Sequence, residues 1–165
     1  MKIKNRHRLK ARDIKQFQDE LKKTFTNDFF NEKSSVETGE FEGQKIIFVD
    51  GEPCFMFYEN KIIFTIHGLN KFKPKQRFVV VDMGAIKFVT NGADVMAPGI
   101  VDADINIVEN DQVWICDEVH RKPLAIGIAN MTGEKMIAEK KGKAIKTIHY
   151  VGDYLWKNII STSTI

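Results

Sequence analysis

The chain has 165 residues, of which 43% are apolar and 28% charged, so it is long enough for one ordinary domain or two small ones. The net charge of +3 supports no argument from total charge, and two cysteines without a Cys-x-x-Cys spacing argue against a zinc site. No apolar run approaches the length of a membrane-spanning helix, and no signal peptide is recognisable, so we expect a cytoplasmic protein with no membrane partner.

Positive charge is concentrated in the first half of the chain. Residues 1–77 carry sixteen lysines and arginines against eleven acids, whereas residues 78–165 carry nine against eleven. This asymmetry favours an anionic partner. Cations also occupy every even position of the first twelve, namely Lys2, Lys4, Arg6, Arg8, Lys10 and Arg12. On a strand they would share one edge, either as a ridge that binds phosphate or as a charged edge that prevents aggregation.

An amphipathic helix is predicted after this basic segment. Asp13 is a good N-cap, and Gln16, three residues later, completes a capping box. Apolar residues then follow at helical spacing up to Phe25, which gives a helix of about thirteen residues. Its apolar face is expected to pack into a core.

Two hairpins are predicted after a polar segment, residues 31–43, that reads as loop with at most one short strand. The first hairpin turns at Asp50-Gly51, a pair that favours positive φ, and the second turns at Glu59-Asn60. The resulting three-stranded antiparallel sheet can pack on the helix, which gives an N-terminal α+β domain.

A junction between domains is predicted near residues 74–77, around Pro74. We therefore expect an N-terminal domain at 1–76, a second domain at 77–158 and a flexible tail at 159–165. Cations alternate again at this junction, either on a solvated connector or as part of a second basic patch. That secondary patch comprises Lys2, Lys4, Arg6, Arg8, Lys10, Lys73 and Lys75.

The stretch from Phe78 to Ile100 organises the second half of the chain. It predicts a buried strand leading to Asp82, then a short helix from Gly84 that ends at Asn91-Gly92. One face of this helix can be apolar, with Ile86 and Val89 three apart and Ala85 and Phe88 beside them. The chain turns again at Pro98-Gly99. Both glycine turns lack bulky side chains, so a ligand could approach the backbone closely there.

Further short strands predict that the second domain is a small closed β-barrel. Val113–Cys116 and Leu124–Ala129 form a hairpin, and Gly127 in its second strand indicates a bulge or a close backbone approach. A loop around Gly142 carries four lysines: Lys140, Lys141, Lys143 and Lys146.

No constellation of residues indicates catalysis. The chain has no Gly-x-Ser-x-Gly, no phosphate-binding loop ending in Gly-Lys-Ser/Thr and no dinucleotide fingerprint, and its acids are scattered. We therefore predict a protein that is not an enzyme, with no catalytic residue, metal or cofactor.

The second half resembles a PUA domain, the small RNA-binding β-barrel of pseudouridine synthases and archaeosine transglycosylases. The matching residues are Asp82-x-Gly84-Ala85, Asn91 to Met96, Pro98-Gly99-Ile100, Val113 to Met131, and the closing Ile148-His149-Tyr150 with Leu155-Trp156. With its N-terminal half, the whole chain is similar to the translation-associated family typified by the malignant T-cell-amplified sequence protein, although in that half only the order of elements matches the eukaryotic relatives.

The resemblance implies that the glycine turns and the lysine loop flank one RNA-binding groove. The residues expected there are Gly84, Lys87, Thr90, Asn91, Gly92, Ala93, Pro98, Gly99, Lys140, Lys141, Lys143 and Lys146. It also implies tRNA, at its acceptor stem and 3′ end, or ribosomal RNA as ligand, and work on the small ribosomal subunit in initiation, re-initiation or recycling. A partner equivalent to the density-regulated protein would contact the N-terminal domain at the sheet of residues 44–65.

Two other functions stay open at this point. One is an accessory subunit that brings an RNA-modifying enzyme to its RNA. The other is a protein-interaction adapter whose basic residues only keep it soluble. The RNA-binding hypothesis requires the turns at Asn91–Gly99 and the loop at Lys140–Lys146 to lie on the same side of the barrel.

Overall fold

The chain folds into two units, which a computed structural model describes for residues 3–31 and 33–161. One unit extends to Pro74 and takes in the described residues from Asn158 onward, and the other is Lys75–Lys157. The protein is of the α+β class, with helices on an antiparallel sheet in the first unit and a small curled β-barrel in the second.

The first unit is built on a five-stranded antiparallel sheet in which the strands follow chain order. They are β1 (Lys4–Arg8), β2 (Val36–Phe41), β3 (Gln44–Val49), β4 (Glu52–Tyr58) and β5 (Lys61–Phe64). Both predicted hairpin turns are present, and Asp50 and Gly51 adopt φ values of 50° and 84°. The prediction of three strands is wrong, because the polar segment before Gly43 supplies β2 and the basic segment supplies β1.

Helix α1 (Ala11–Phe25) packs its apolar face into this unit, burying Leu21 and Phe25. The predicted capping box is wrong. The helix begins two residues before Asp13, with Lys10 as an N-cap that makes no side-chain hydrogen bond. Asp13 instead lies in the first turn, where a carboxylate interacts favourably with the positive end of the helix dipole.

Helix α2 (Ile66–Phe72) was not predicted. Thr65 caps it by accepting a hydrogen bond from the Gly68 backbone N–H at 3.0 Å. The helix packs on β4 so tightly that a Cβ atom on Gly68 would overlap the carbonyl of Cys54. Seven residues are too few for a clear helical period, so no periodic signal in the sequence indicates this helix.

The basic N-terminal segment does not form a single ridge of six cations. All of β1 is exposed, but Asn5 has a φ of 54° and the register shifts between Lys4 and His7, so the strand alternation is lost. Arg6 lies over the ring of Phe48, 4.1 Å from its centroid. Lys10 and Arg12 belong to the start of α1, and Lys2 lies outside the described residues.

The sheet of residues 44–65 is also a poor protein-docking surface. Most positions of β3, β4 and β5 are buried, including Ile46–Val49 and Ile62–Phe64. The exposed positions are confined to the turns and to single residues such as Lys45 and Lys61. The expected partner surface on this sheet is therefore limited to these exposed positions, because most of its side chains form the core.

The second unit contains a curled six-stranded sheet in the order β7-β11-β10-β9-β6-β8. Its strands are β6 (Phe78–Val81), β7 (Val95–Met96), β8 (Ile100–Ala103), β9 (Gln112–Asp117), β10 (Pro123–Ala129) and β11 (Lys143–Tyr150). The β6–β9 pair is parallel and the other pairs are antiparallel. Small and branched side chains such as Val79, Ile115 and Ala144 fill its core.

Gly127 occupies the close approach that the sequence predicted. The register of β10 against β11 shifts between Ile126 and Gly127. A Cβ atom on Gly127 would lie 2.5 Å from the carbonyl oxygen of Lys146 and closer still to the side chain of Ile145. Glycine therefore lets β10 and β11 pack backbone to backbone at this point.

Arg77, the last of the alternating cations at the predicted junction, is mostly buried in the second unit. Its Nε atom lies 2.9 Å from Asp111 Oδ2, and its Nη1 atom lies 3.7 Å from Asp104 Oδ2. The same Asp104 oxygen accepts a hydrogen bond from the Arg77 backbone N–H. The guanidinium thus holds the loop between β8 and β9.

The C-terminal segment differs from the predicted tail at its first residues. A turn of π-helix, Trp156–Ile160, follows the barrel, and Ile159 and Ile160 are 1% and 2% exposed. Residues 162–165 of the predicted tail lie outside the described residues. Burial of two isoleucines stabilises the segment by the hydrophobic effect, so the flexible tail cannot begin at residue 159.

Candidate nucleic-acid interface

Asp82 marks the point where β6 ends and the site begins. Its Oδ1 accepts a hydrogen bond from the Ala85 backbone N–H at 3.0 Å and so caps a turn of 3-10 helix, Met83–Ala85. Helix α3 (Ile86–Val89) follows directly. The sequence placed the start of this helix at Gly84. The structure divides the segment into two short helices, because the carboxylate of Asp82 caps the first turn.

The end of α3 agrees with the prediction for Gly92, which adopts a φ of 88°. Its Cα faces Tyr150, however, and a Cβ atom there would lie 2.8 Å from the phenol oxygen. Thr90 donates its hydroxyl to the Ile86 carbonyl at 2.9 Å. Both residues shape the turn, and neither lines the cleft beside it.

Strand β7 joins this turn to the lysine loop. Val95 and Met96 pair with Ile145 and Lys143 of β11. The Ala97 N–H then donates to the Gly142 carbonyl at 2.9 Å. The two segments that the sequence separates by about fifty residues are therefore neighbours, as the RNA-binding hypothesis requires.

A cleft of about 460 Å³ lies between the 3-10 turn, α3 and β7. Its walls are mostly apolar, and Phe88 and Met96 are 58% and 50% exposed. Exposed large apolar side chains beside a concave surface are typical of ligand sites. The lining residues are Asp82, Gly84, Ala85, Phe88, Val89, Ala93, Asp94, Val95, Met96, Pro98 and Gly99.

Four of the predicted RNA-binding residues line this cleft, namely Gly84, Ala93, Pro98 and Gly99. Sequence reasoning missed Phe88 and the two carboxylates. It assigned Phe88 to the apolar face of α3, because an aromatic side chain at helical spacing is usually buried. Asp82 and Asp94 stood in the quoted motifs, but nothing in a motif shows that a side chain faces a cleft.

None of the predicted lysines is among the residues that line the cleft, and they differ in the contacts that they make. The Nζ atom of Lys143 lies 3.1 Å from Asp94 Oδ2, and that of Lys140 donates to the Ile100 carbonyl at 2.7 Å. The Nζ atom of Lys87 lies 5.2 Å from the ring centroid of Phe88. Lys141 and Lys146 are exposed, and within the described residues the ammonium of Lys141 has no ion-pair partner.

The carboxylate of Asp94 is partly exposed and is paired within the fold. Burial opposes its ionisation, but hydrogen bonds from the Thr147 N–H and from Lys143 outweigh that effect and lower its pKa. The Thr147 N–H lies 2.9 Å from Oδ1. Asp94 therefore fixes β11 and Lys143 next to the cleft and leaves little of its charge for a ligand.

The secondary basic patch has less structural support as an RNA-binding surface than the cleft has. Lys4, Arg8, Lys10, Lys73 and Lys75 are all exposed. Lys73 ends α2 with a φ of 47°, and Arg6 is paired with Glu37 at 3.2 Å. None of these residues is among those that line the cleft beside α3.

Both cysteines of the chain are buried. Burial raises the pKa of Cys54 to about 12 and that of Cys116 to about 11, so neither thiol is an activated nucleophile. No cluster of three or more His, Cys, Asp or Glu side chains suited to a metal was found among the described residues. Across the same ranges, none of the helices has both the length and the apolarity to span a bilayer.

Both halves of the chain match families of known proteins. Residues 77–151 match the PUA domain, and residues 5–72 match a domain of unknown function, DUF1947. Translation machinery-associated protein 20 of Saccharomyces cerevisiae is 32% identical over 90% of this chain and 84% of its own length. The chain belongs to the family of translation machinery-associated protein 20 and the malignant T-cell-amplified sequence proteins.

Archaeal members of this PUA-domain family are similar over nearly the whole chain. An uncharacterized protein of Methanocaldococcus jannaschii is 48% identical over 94% of this chain and 98% of its own. The crystal structure of a hypothetical protein from Pyrococcus horikoshii superposes with a TM-score of 0.85 and 38% identity, covering 92% of this chain and 98% of that one. The cleft described above lies within the segment that matches the PUA domain.

Proposed function

We propose that the protein is a non-catalytic RNA-binding protein of the translation machinery, which holds structured RNA at the cleft and the lysine loop. The observation that carries this proposal is the pairing of β7 with β11, which sets the loop at Lys140–Lys146 beside an open cleft. The PUA match and the names of the translation-associated relatives support the same function.

The division of charge at the site suits an RNA that places a base in the cleft and phosphates at its rim. Apolar walls and an exposed Phe88 favour stacking with an unpaired base. Asp82 lines the cleft and repels phosphate, whereas Lys87 and Lys143 lie next to the lining residues Phe88 and Asp94. Lysine contacts to phosphate supply affinity with little sequence preference.

The finer assignment follows the family. The RNA is the acceptor stem and 3′ end of tRNA or a ribosomal RNA, bound on the small ribosomal subunit in the cytoplasm. The step is initiation, re-initiation or recycling. A partner equivalent to the density-regulated protein joins through the N-terminal domain, at positions that the buried sheet leaves exposed.

Removal of the lysines tests the RNA site. The triple variant Lys87→Ala, Lys141→Ala and Lys143→Ala is expected to weaken tRNA binding by on the order of 3 kcal/mol at low salt. It should also reduce the slope of log K against log salt by about 1 for each phosphate that a removed lysine had neutralised. Fluorescence anisotropy between about 50 and 200 mM salt measures both quantities.

A matched control removes the same charge elsewhere. The variant Lys15→Ala, Lys23→Ala and Lys61→Ala changes three exposed lysines of the first unit. It should bind tRNA within about threefold of the parent and keep most of its salt slope. Equal binding by the parent and the first triple variant would reject the site.

Sedimentation of a native lysate tests the place of action. The parent should co-sediment with small ribosomal subunits, and the first triple variant should not. Co-purification with an RNA-modifying enzyme instead of ribosomal subunits would favour the accessory-subunit function.

A further inference from the structure

The two carboxylate oxygens of Asp82 in the cleft differ in their contacts. Oδ1 of Asp82 accepts the hydrogen bond of the Ala85 N–H, which fixes the side chain. No hydrogen bond or ion pair to Oδ2 was found among residues 3–31 and 33–161. By contrast, Asp94 in the same cleft accepts from Thr147 and pairs with Lys143.

The surroundings of this oxygen limit what it can bind. Asp82 shares the cleft with Phe88, whose exposed ring offers a surface for one planar base. A carboxylate accepts hydrogen bonds and repels phosphate, so it meets the edge of the base and not the RNA backbone. The amino groups of cytosine and adenine are donors suited to it.

Uracil is a poor match for the same oxygen. Its one donor on the pairing edge, N3–H, lies between two carbonyl oxygens, which a carboxylate repels. The hydrogen bond that cytosine or adenine gains would therefore be largely absent for uracil.

We propose that Asp82 is a specificity-determining residue, whose free oxygen selects an unpaired base that carries an amino group and stacks on Phe88. This inference rests on the proposed function, because it concerns the same cleft. It adds a base preference that lysine contacts to phosphate do not give.

The test uses three RNA hairpins with one stem and a 3′ tail of four adenines, four cytosines or four uracils. The full-length parent is expected to bind the adenine and cytosine tails roughly tenfold more tightly than the uracil tail, the scale of one charged base contact. Fluorescence anisotropy at one salt concentration gives the ratio for each tail.

Asp82→Asn is the informative variant. Asparagine is also a good helix cap, so its carbonyl can keep the bond to the Ala85 N–H while its amide group becomes a donor. The preference should then vanish or reverse toward uracil, whose carbonyls accept hydrogen bonds. Asp102→Asn, an exposed carboxylate on β8, makes the same charge change outside the cleft and should keep the parental ratio.

The outcomes separate this inference from the proposed function. If Asp82→Asn keeps the parental ratio while the lysine variant loses affinity, the RNA site stands and the role of Asp82 is rejected. If Asp82→Asn weakens all ribose tails equally but not 2′-deoxy tails, the oxygen contacts a 2′-hydroxyl and the base preference is rejected. If the parent binds no hairpin, both proposals fail.

Discussion

Gly127 connects the stability of the barrel to the position of the lysine loop. In Gly127→Ala the new methyl group would lie 2.5 Å from the carbonyl oxygen of Lys146, well inside the ordinary contact distance of about 3.5 Å. The obstacle is backbone, so no side-chain rotation can relieve it. Strand β11 would have to move by about 1 Å while it is still bonded to β10.

The cost of this movement follows from overpacking a core. Such insertions cost about 1–3 kcal/mol, and a clash with backbone places this one near 3 kcal/mol. With a urea dependence of about 1.5 kcal/mol per molar, the midpoint of unfolding should fall by about 2 M. The lysine loop begins β11, so RNA affinity should fall as well.

Intrinsic tryptophan fluorescence reports the unfolding of the second unit, which contains Gly127. The chain has two tryptophans, Trp114 and Trp156, and both lie in Lys75–Lys157. The matched control is Gly84→Ala, whose methyl group would meet only Asp82 Oδ1 at 3.4 Å. It should shift the midpoint by less than about 0.5 M. A similarly small shift for Gly127→Ala would refute the tight pairing of β10 with β11.

Three further predictions concern buried charged groups and thiols. Arg77→Leu removes the cation from two mostly buried carboxylates, which keep only backbone N–H bonds, and should cost about 3–5 kcal/mol in urea unfolding, a loss that adding Asp104→Asn should partly reverse. Burial opposes ionisation of Asp153, but the interaction with His149 and the hydrogen bonds from the Trp156 and Tyr150 N–H groups together outweigh it and lower the pKa. The resulting stability is present above about pH 4 and lost in stronger acid, so Asp153→Asn should flatten the acid side of the stability curve. Neither cysteine should react with a thiol reagent at pH 8 until urea unfolds the chain; rapid labelling would contradict their burial.

Local signals account for the parts of the fold that were predicted correctly. The Asp50-Gly51 turn and the end of α3 at Gly92 depend on positive φ, which few residue types adopt, so the sequence specifies them directly. Helix α1 carries a long apolar pattern of helical period, and β6 is a continuous run of four apolar residues that form strands readily. These elements could be predicted without knowing which other segments they pack against.

Pairings between distant segments account for what was not predicted. Strand β6 pairs in parallel with β9, more than thirty residues away. A parallel pair is not joined by a hairpin turn, so no turn signal in the sequence indicates it. Arg77 reads as one more cation of a basic run until Asp104 and Asp111 fold against it. Phe88 reads as core, because the short α3 gives no sign of which side of it stays open.

The lysine loop shows why a count of charges is a poor guide to an RNA site. Four lysines stand together in the sequence, yet Lys143 holds Asp94 and Lys140 holds the Ile100 carbonyl. These two interactions fix the loop against β7 and β8 at the edge of the cleft. An ordered loop loses less conformational entropy on binding than a mobile one. The internal bonds therefore reduce the free charge but hold the remaining lysines in place, and the position of the charge decides whether phosphates and a stacked base can bind together.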